Sequence, residues 1–225
     1  MALIYDDIAI LSVGMSCQTA WRLYEAQGLI DGLVGTPGLR HGTPFDWTIA
    51  RPVAVRRALE LGRFRPDSPD DLRPRAGRFY WPETGIWYWH EHRAQAEFDS
   101  FAAKFDRLTA TLEHLRTKRV LALWSNGQAD LVFPSRRFPS TAPTIGGADL
   151  VHLARALDAF FPNCRLFPVV APHRIAPDRP LRRPPPATYD ADDPEQDWQG
   201  DPQVWNPILA QAVTAHLDNR PIQVS

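Results

Sequence analysis

The stretch Ile8-Ala9-Ile10-Leu11-Ser12-Val13-Gly14-Met15-Ser16-Cys17-Gln18-Thr19-Ala20 decides the fold class. Its first six residues form a short apolar run closed by Gly14, which reads as a buried strand. Ser16 is a helix-capping residue type, and Ala20, Leu23, Tyr24 and Gln27 carry a helix on to about Gly28. A strand that passes through a tight turn into a helix is the unit of α/β layer folds.

The same alternation continues along the chain. Residues Gly28 to Gly42 hold five of the thirteen glycines and read as a long loop. Pro44-Phe45-Asp46-Trp47 leads into a helix from Arg51 to Leu61, with Pro52 in its first turn. Arg65 to Arg75 reads as a surface loop, and Gly85 to His90 as an aromatic strand. Phe98, Phe101, Phe105, Leu108, Leu112 and Leu115 recur at three- and four-residue steps, predicting a helix from about Ala94 to Arg116. Val120 to Trp124 is a core strand, Gly146 to Phe161 a further helix, and Leu166 to Val170 a last strand. The expected fold is therefore α/β, a single layered domain with a central sheet flanked by helices, spanning residues 1–171. Eleven of the 22 prolines fall between Pro162 and Pro207, so residues 172–225 read as a Pro-rich irregular extension. A short helix from about Asn206 to Leu217 closes it. Arg182-Arg183-Pro184-Pro185-Pro186 reads as a solvated surface segment, or as a polyproline recognition element.

Composition excludes several classes. The 225 residues are 44% hydrophobic and 23% charged, which fits neither a wholly disordered chain nor a membrane protein. Lys+Arg is 25 against Asp+Glu 26, a net charge of -1, so no global basic field exists to hold nucleic acid. Ile8 to Leu11 is far shorter than a spanning helix and follows Asp6 and Asp7 rather than a basic region, a poor signal peptide. Two cysteines do not make a disulfide scaffold. The expected compartment is the cytoplasm, with neither nucleic acid nor membrane as partner.

Cys17 is the leading chemical candidate. A helix N-terminus carries partial positive charge and free N–H groups, and both favour the nucleophilic thiolate. The plain alternative is a small residue packing the helix on the sheet. A catalytic cysteine needs a base, and Trp89-His90-Glu91-His92 offers two imidazoles. Residues two apart on a strand face one side, so a continuing strand directs His90 and His92 into one cleft, with His90 the better fixed. Surface histidines beside a helix start are the alternative, and H-x-H with Asp46 is also a metal-ligand spacing. Asn126, in Trp124-Ser125-Asn126-Gly127, can orient an imidazole, or it is turn chemistry, with Asp130 as substitute. Asp46 and Trp47 either line the cleft beside Cys17 or cap a helix and fill the core. Cys164 reads as structural. Gly14-x-x-Cys17 lacks the Gly-Lys-Ser/Thr ending of a phosphate loop, and no cofactor is expected.

The motifs from Leu11 to Ala20 and from Pro44 to Trp47 resemble those of an uncharacterised bacterial family of papain-like cysteine peptidases. Its members look like strand, S-L-G-x-x-C-x-x-A, helix, P-F-D-W and then a His-acidic pair, which Trp89-His90-Glu91 fits. The likeness covers roughly the first 130 residues. It implies Cys17 as nucleophile, His90 as general base and Asn126 as orienter. The upstream Gln that papain-like enzymes give to the oxyanion hole has no counterpart before Cys17; backbone N–H groups or Gln18 would replace it. The expectation is a cysteine-dependent hydrolase or acyltransferase acting on a peptide or small amide, with Gln18, Asp46, Trp47, Trp89 and His92 near the substrate. Two other expectations stand beside it. One is a carbohydrate- or nucleotide-binding module, or a transferase, walled by the tryptophans around Trp87 and Trp89. The other is an interaction scaffold that uses the Pro-rich segment.

Overall fold

A strand that is apolar on every side chain needs cover on both faces, because successive side chains point in opposite directions. The computed structural model describes residues 7–75, 77–128, 144–189 and 198–218, and in it Ile8–Ser12 is strand β1, buried throughout. Ile8 and Ile10 enter one apolar cluster while Ala9 and Leu11 enter another, so the sheet is the middle of three layers.

The remaining elements follow in order: α1 (Cys17–Glu25), α2 (Gln27–Val34), α3 (Pro52–Leu61), β2 (Arg73–Arg75), β3 (Arg78–Trp81), β4 (Ile86–Tyr88), α4 (Phe98–His114), β5 (Arg119–Ser125), α5 (Gly147–Phe160), β6 (Cys164–Val170), β7 (Ala187–Thr188) and α6 (Pro202–Leu217). The main sheet has the order β1-β5-β6-β7, and every pairing is parallel. An α/β fold with a helix-flanked central sheet is thus what the chain adopts. Helices α3, α4 and α5 supply Val55, Phe105 and Leu153 to one face. Helices α1, α2 and α6 supply Leu23, Ile30 and Leu209 to the other. Because all four strands run the same way, their C-terminal ends share one edge, where open α/β sheets place ligands.

Four local expectations are corrected. The Gly28 to Gly42 loop contains α2, because Ile30 and Val34, one turn apart, are both buried while Gly28 and Gly32 face open space. The Arg65 to Arg75 loop ends in β2, which joins β3 and β4 in a second, antiparallel sheet. The aromatic strand stops at Tyr88, and His90 and His92 lie in the turns beyond it. The Pro-rich stretch does contribute to the core: β7 pairs with β6, and Ala187, Tyr189 and Trp205 are buried in the second cluster. No helix among the described residues is long and apolar enough to cross a membrane.

Candidate functional site at the sheet edge

Cys17 opens α1 directly above the end of β1. Val13 N–H donates to Leu123 O at 2.9 Å and Met15 N–H to Ser125 O at 3.4 Å, which carries the β1 register past the strand and fixes the turn. Ser16 occupies the N-cap position in extended conformation, but its hydroxyl makes no cap hydrogen bond. The first-turn amides of α1 therefore keep the partial positive charge of the helix terminus unshared with a side-chain cap. The cysteine is 9% exposed and is not in a disulfide. Its thiol donates to Gln128 Oε1 at 3.7 Å.

Asn126 and Gln128 reach this place from the end of β5. Asn126 Oδ1 accepts the Ala171 N–H at 2.8 Å, which pins its amide to the segment following β6. Its Nδ2 is buried and has no hydrogen-bond partner among the described residues, as is true of Ser12 Oγ and Ser16 Oγ. Buried polar atoms are nearly always paired, so these three, at the end of β1, in the turn to α1 and after β5, leave hydrogen-bonding capacity unused at the sheet edge. Arg174, 4% exposed, braces the loop by donating from Nη1 to the carbonyl oxygens of Asn126 and Gln128. Its Nε donates to His173 Nε2 at 3.1 Å. Gln18 is fully buried, and its Cδ would lie 3.2 Å from a Cβ added at Gly200.

The Pro44 to Trp47 island ties β1 to the second sheet. Asp46 is 3% exposed, pairs with Arg40 at 3.1 Å and meets the Thr43 hydroxyl at 2.8 Å; that hydroxyl also lies 3.0 Å from Ser12 O. Burial pushes the Asp46 carboxyl up to about 6 against the opposing pull of Arg40 and Thr43. Trp47 meets His90 edge-on, ring centroids 5.8 Å apart.

His90 and His92 belong to a different place. With Glu91, Lys104 and Arg107 they line a groove of about 470 Å³ to which Cys17, Asn126 and Gln128 do not contribute. Desolvation, and then the charge of Arg78, hold the His90 imidazole below its ordinary value. The structure thus brings Cys17 and Asn126 to one edge and leaves His90 and His92 in the neighbouring groove. Asn126 already gives its carbonyl oxygen to Ala171, the atom an orienter would give to an imidazole. Asp130 lies outside the described residues. Trp81 and Trp87 are buried in the first cluster, while Trp89 is half-buried with the Arg78 guanidinium 4.8 Å from its ring centroid. No group of three or more His, Cys, Asp or Glu side chains among the described residues has metal-binding geometry.

Gln128, His173 and Arg174 escaped the sequence reading. Their one signal is position: each follows a parallel core strand, on the edge where Cys17 sits. Comparison with known proteins finds no matching family model, curated sequence or solved structure.

Proposed function

We propose that the protein is a cysteine-dependent hydrolase or acyltransferase that cleaves an amide or peptide bond through a thioester on Cys17. The observation that carries this is the thiol at the uncapped N-terminus of α1, held against the Gln128 amide on the sheet edge that also carries the unpaired Asn126 Nδ2. The Cys17 sulfur, as thiolate, adds to the substrate carbonyl carbon, and the carbonyl π pair moves to oxygen. The first-turn amides of α1 and the Asn126 Nδ2 are the donors for that oxyanion. Collapse breaks the carbon–nitrogen bond, and the amine leaves with a proton. Water or a second amine then cleaves the thioester.

In this reading Gln128 has two settings. With Oε1 on the sulfur it favours the thiol. A half-turn of the amide presents Nε2 instead and favours the thiolate, since the amide carries an acceptor on one side and donors on the other. The proton shuttle is assigned to the sheet edge and hence to His173 rather than His90; its Nε2 must release Arg174 to accept a proton. The likeness of the Leu11 to Ala20 and Pro44 to Trp47 motifs to papain-like peptidases is a separate ground for the same chemistry.

Iodoacetamide labelling of the intact protein tests the reading. At neutral pH Cys17 should be alkylated much faster than Cys164, whose thiol is pushed far up by desolvation and then by Asp158. Equally slow modification of both cysteines would overturn it.

A further inference from the structure

The first turn of α5 and the chain around Arg179 to Arg183 line a cleft of about 550 Å³, to which Cys17, Asn126 and Gln128 do not contribute. Arg155, Arg179, Arg182 and Arg183 line it together with His152, and no carboxylate does. Like charges are not gathered around a concavity without cost, so the arrangement asks for an anion. Arg183 is already engaged, and the inference rests on the other three. Arg179 has only the long contacts to Asp149 at 3.7 Å and Asp178 at 3.9 Å, while Arg155 and Arg182 have no ion pair among the described residues.

The wall is built, not draped. Ile145 N–H donates to Arg174 O at 3.0 Å, Ala176 N–H to Ile145 O at 2.8 Å and Gly147 N–H to Arg179 O at 3.2 Å. A Cβ on Gly146 would lie 2.7 Å from Arg179 Cβ, so glycine is what lets the arginine segment close on the helix. The positive end of α5 is met by Asp149, whose Oδ2 accepts from Gly146 N–H at 2.8 Å, so the arginines supply the field of the cleft.

We propose that this cleft is a binding site for a small molecule carrying a diphosphate group. Planar guanidinium forks match phosphate oxygens in pairs, and three of them exceed what one monoanion uses. The volume falls within the range of small-ligand sites, roughly 300–1,000 Å³. No Phe, Tyr or Trp lines the cavity and its one ring is the His152 imidazole, so the arginines and hence the anionic group dominate what it reads. A nucleic-acid strand is the less favoured occupant, because the chain's net charge of -1 gives no extended basic track.

Calorimetric titration of the full chain with pyrophosphate, ADP and AMP tests this without reference to the Cys17 chemistry. Pyrophosphate and ADP should bind with similar affinity and AMP much more weakly. The double variant Arg155→Ala/Arg182→Ala should weaken pyrophosphate binding by about tenfold or more, while Arg75→Ala, on the second sheet, leaves it unchanged. Phenylglyoxal labelling of the unaltered protein reads the same site independently: pyrophosphate should protect Arg155 and Arg182. Absence of pyrophosphate binding, binding that the double variant retains in full, or unprotected arginines would each overturn the proposal. So would displacement of pyrophosphate by a short single-stranded oligonucleotide at lower concentration than ADP.

Discussion

The Cys17 sulfur lies 3.7 Å from Gln128 Oε1, although 111 residues of chain separate the two. The contact exists because β1 and β5 are parallel neighbours whose ends share an edge, and because Arg174 clamps the backbone of the β5 loop. The clamp holds the Gln128 carbonyl and not its side chain, so side chain and loop position separate experimentally. Gln128→Ala should leave the urea midpoint nearly unchanged. It should slow acylation of Cys17 by about tenfold, because the amide that can turn its Nε2 to the sulfur and favour the thiolate is gone. Burst kinetics with an activated ester check this; an unaltered burst rate removes Gln128 from the site.

The two imidazole regions make opposite predictions. His173 follows β6 at the sheet edge and touches Arg174, which in turn holds Asn126 and Gln128. His90 packs on Trp47 in the other groove. His173→Ala should lower the rate of thioester formation by about 10²-fold or more, as loss of a general base does. His90→Ala should leave it within a factor of about two, well below a general-base effect. The reverse ranking would return the base to His90 and require movement of the Pro44 to Trp47 island.

What the sequence reveals here follows from how local its cause is. β1, α1, α3, α4 and β5 are legible because each carries its own apolar period between breakers. β2 is not, since Arg73, Pro74 and Arg75 are all exposed and become a strand only by pairing with Arg78 to Tyr80. β7 is two residues long and exists through its pairing with Val169 and Val170. Cys17 was readable because the strand, Gly14 and the helix lie together in sequence. Gln128 and Arg174 were not, because only the order β1-β5-β6 brings three separate loops to one edge.

Gly200 tests how the C-terminal segment is seated beside α1. It sits at φ +75°, and a Cβ there would lie 2.6 Å from Trp205 Nε1 and 3.2 Å from Gln18 Cδ. Trp205 is fully buried, and Arg22 Nη1 donates to Gly200 O at 3.3 Å. Gly38 has the same φ of +75° with nothing within 4 Å. Gly38→Ala should therefore cost only the left-handed conformation, about 1–2 kcal/mol. Gly200→Ala adds overpacking and should cost about 2–4 kcal/mol in total. Urea unfolding of both variants isolates the packing term; equal losses would show that Trp205 and Gln18 yield freely.

The pH dependence of stability should hide two opposed titrations. His216 is 4% exposed, and desolvation pushes its imidazole down to about 4. Between the ordinary 6.5 and that value the unfolded chain binds a proton that the folded chain refuses, so stability falls as pH drops. Asp46 acts the other way. Its carboxyl, raised to about 6, is protonated in the folded chain while the unfolded carboxyl at 3.8 is still ionised, so stability rises as pH falls through 6. A protonated Asp46 can donate to the Thr43 hydroxyl, freeing that hydroxyl to donate to Ser12 O. His41, His90 and Asp158 are shifted as well, so the informative quantity is each variant's difference from the parent. Between pH 7 and pH 5, His216→Leu should gain about 2 kcal/mol relative to the parent. Asp46→Asn should lose about 1 kcal/mol over the same interval. Urea midpoints at the two pH values measure both; variants that track the parent at both would mean that neither burial governs the titration.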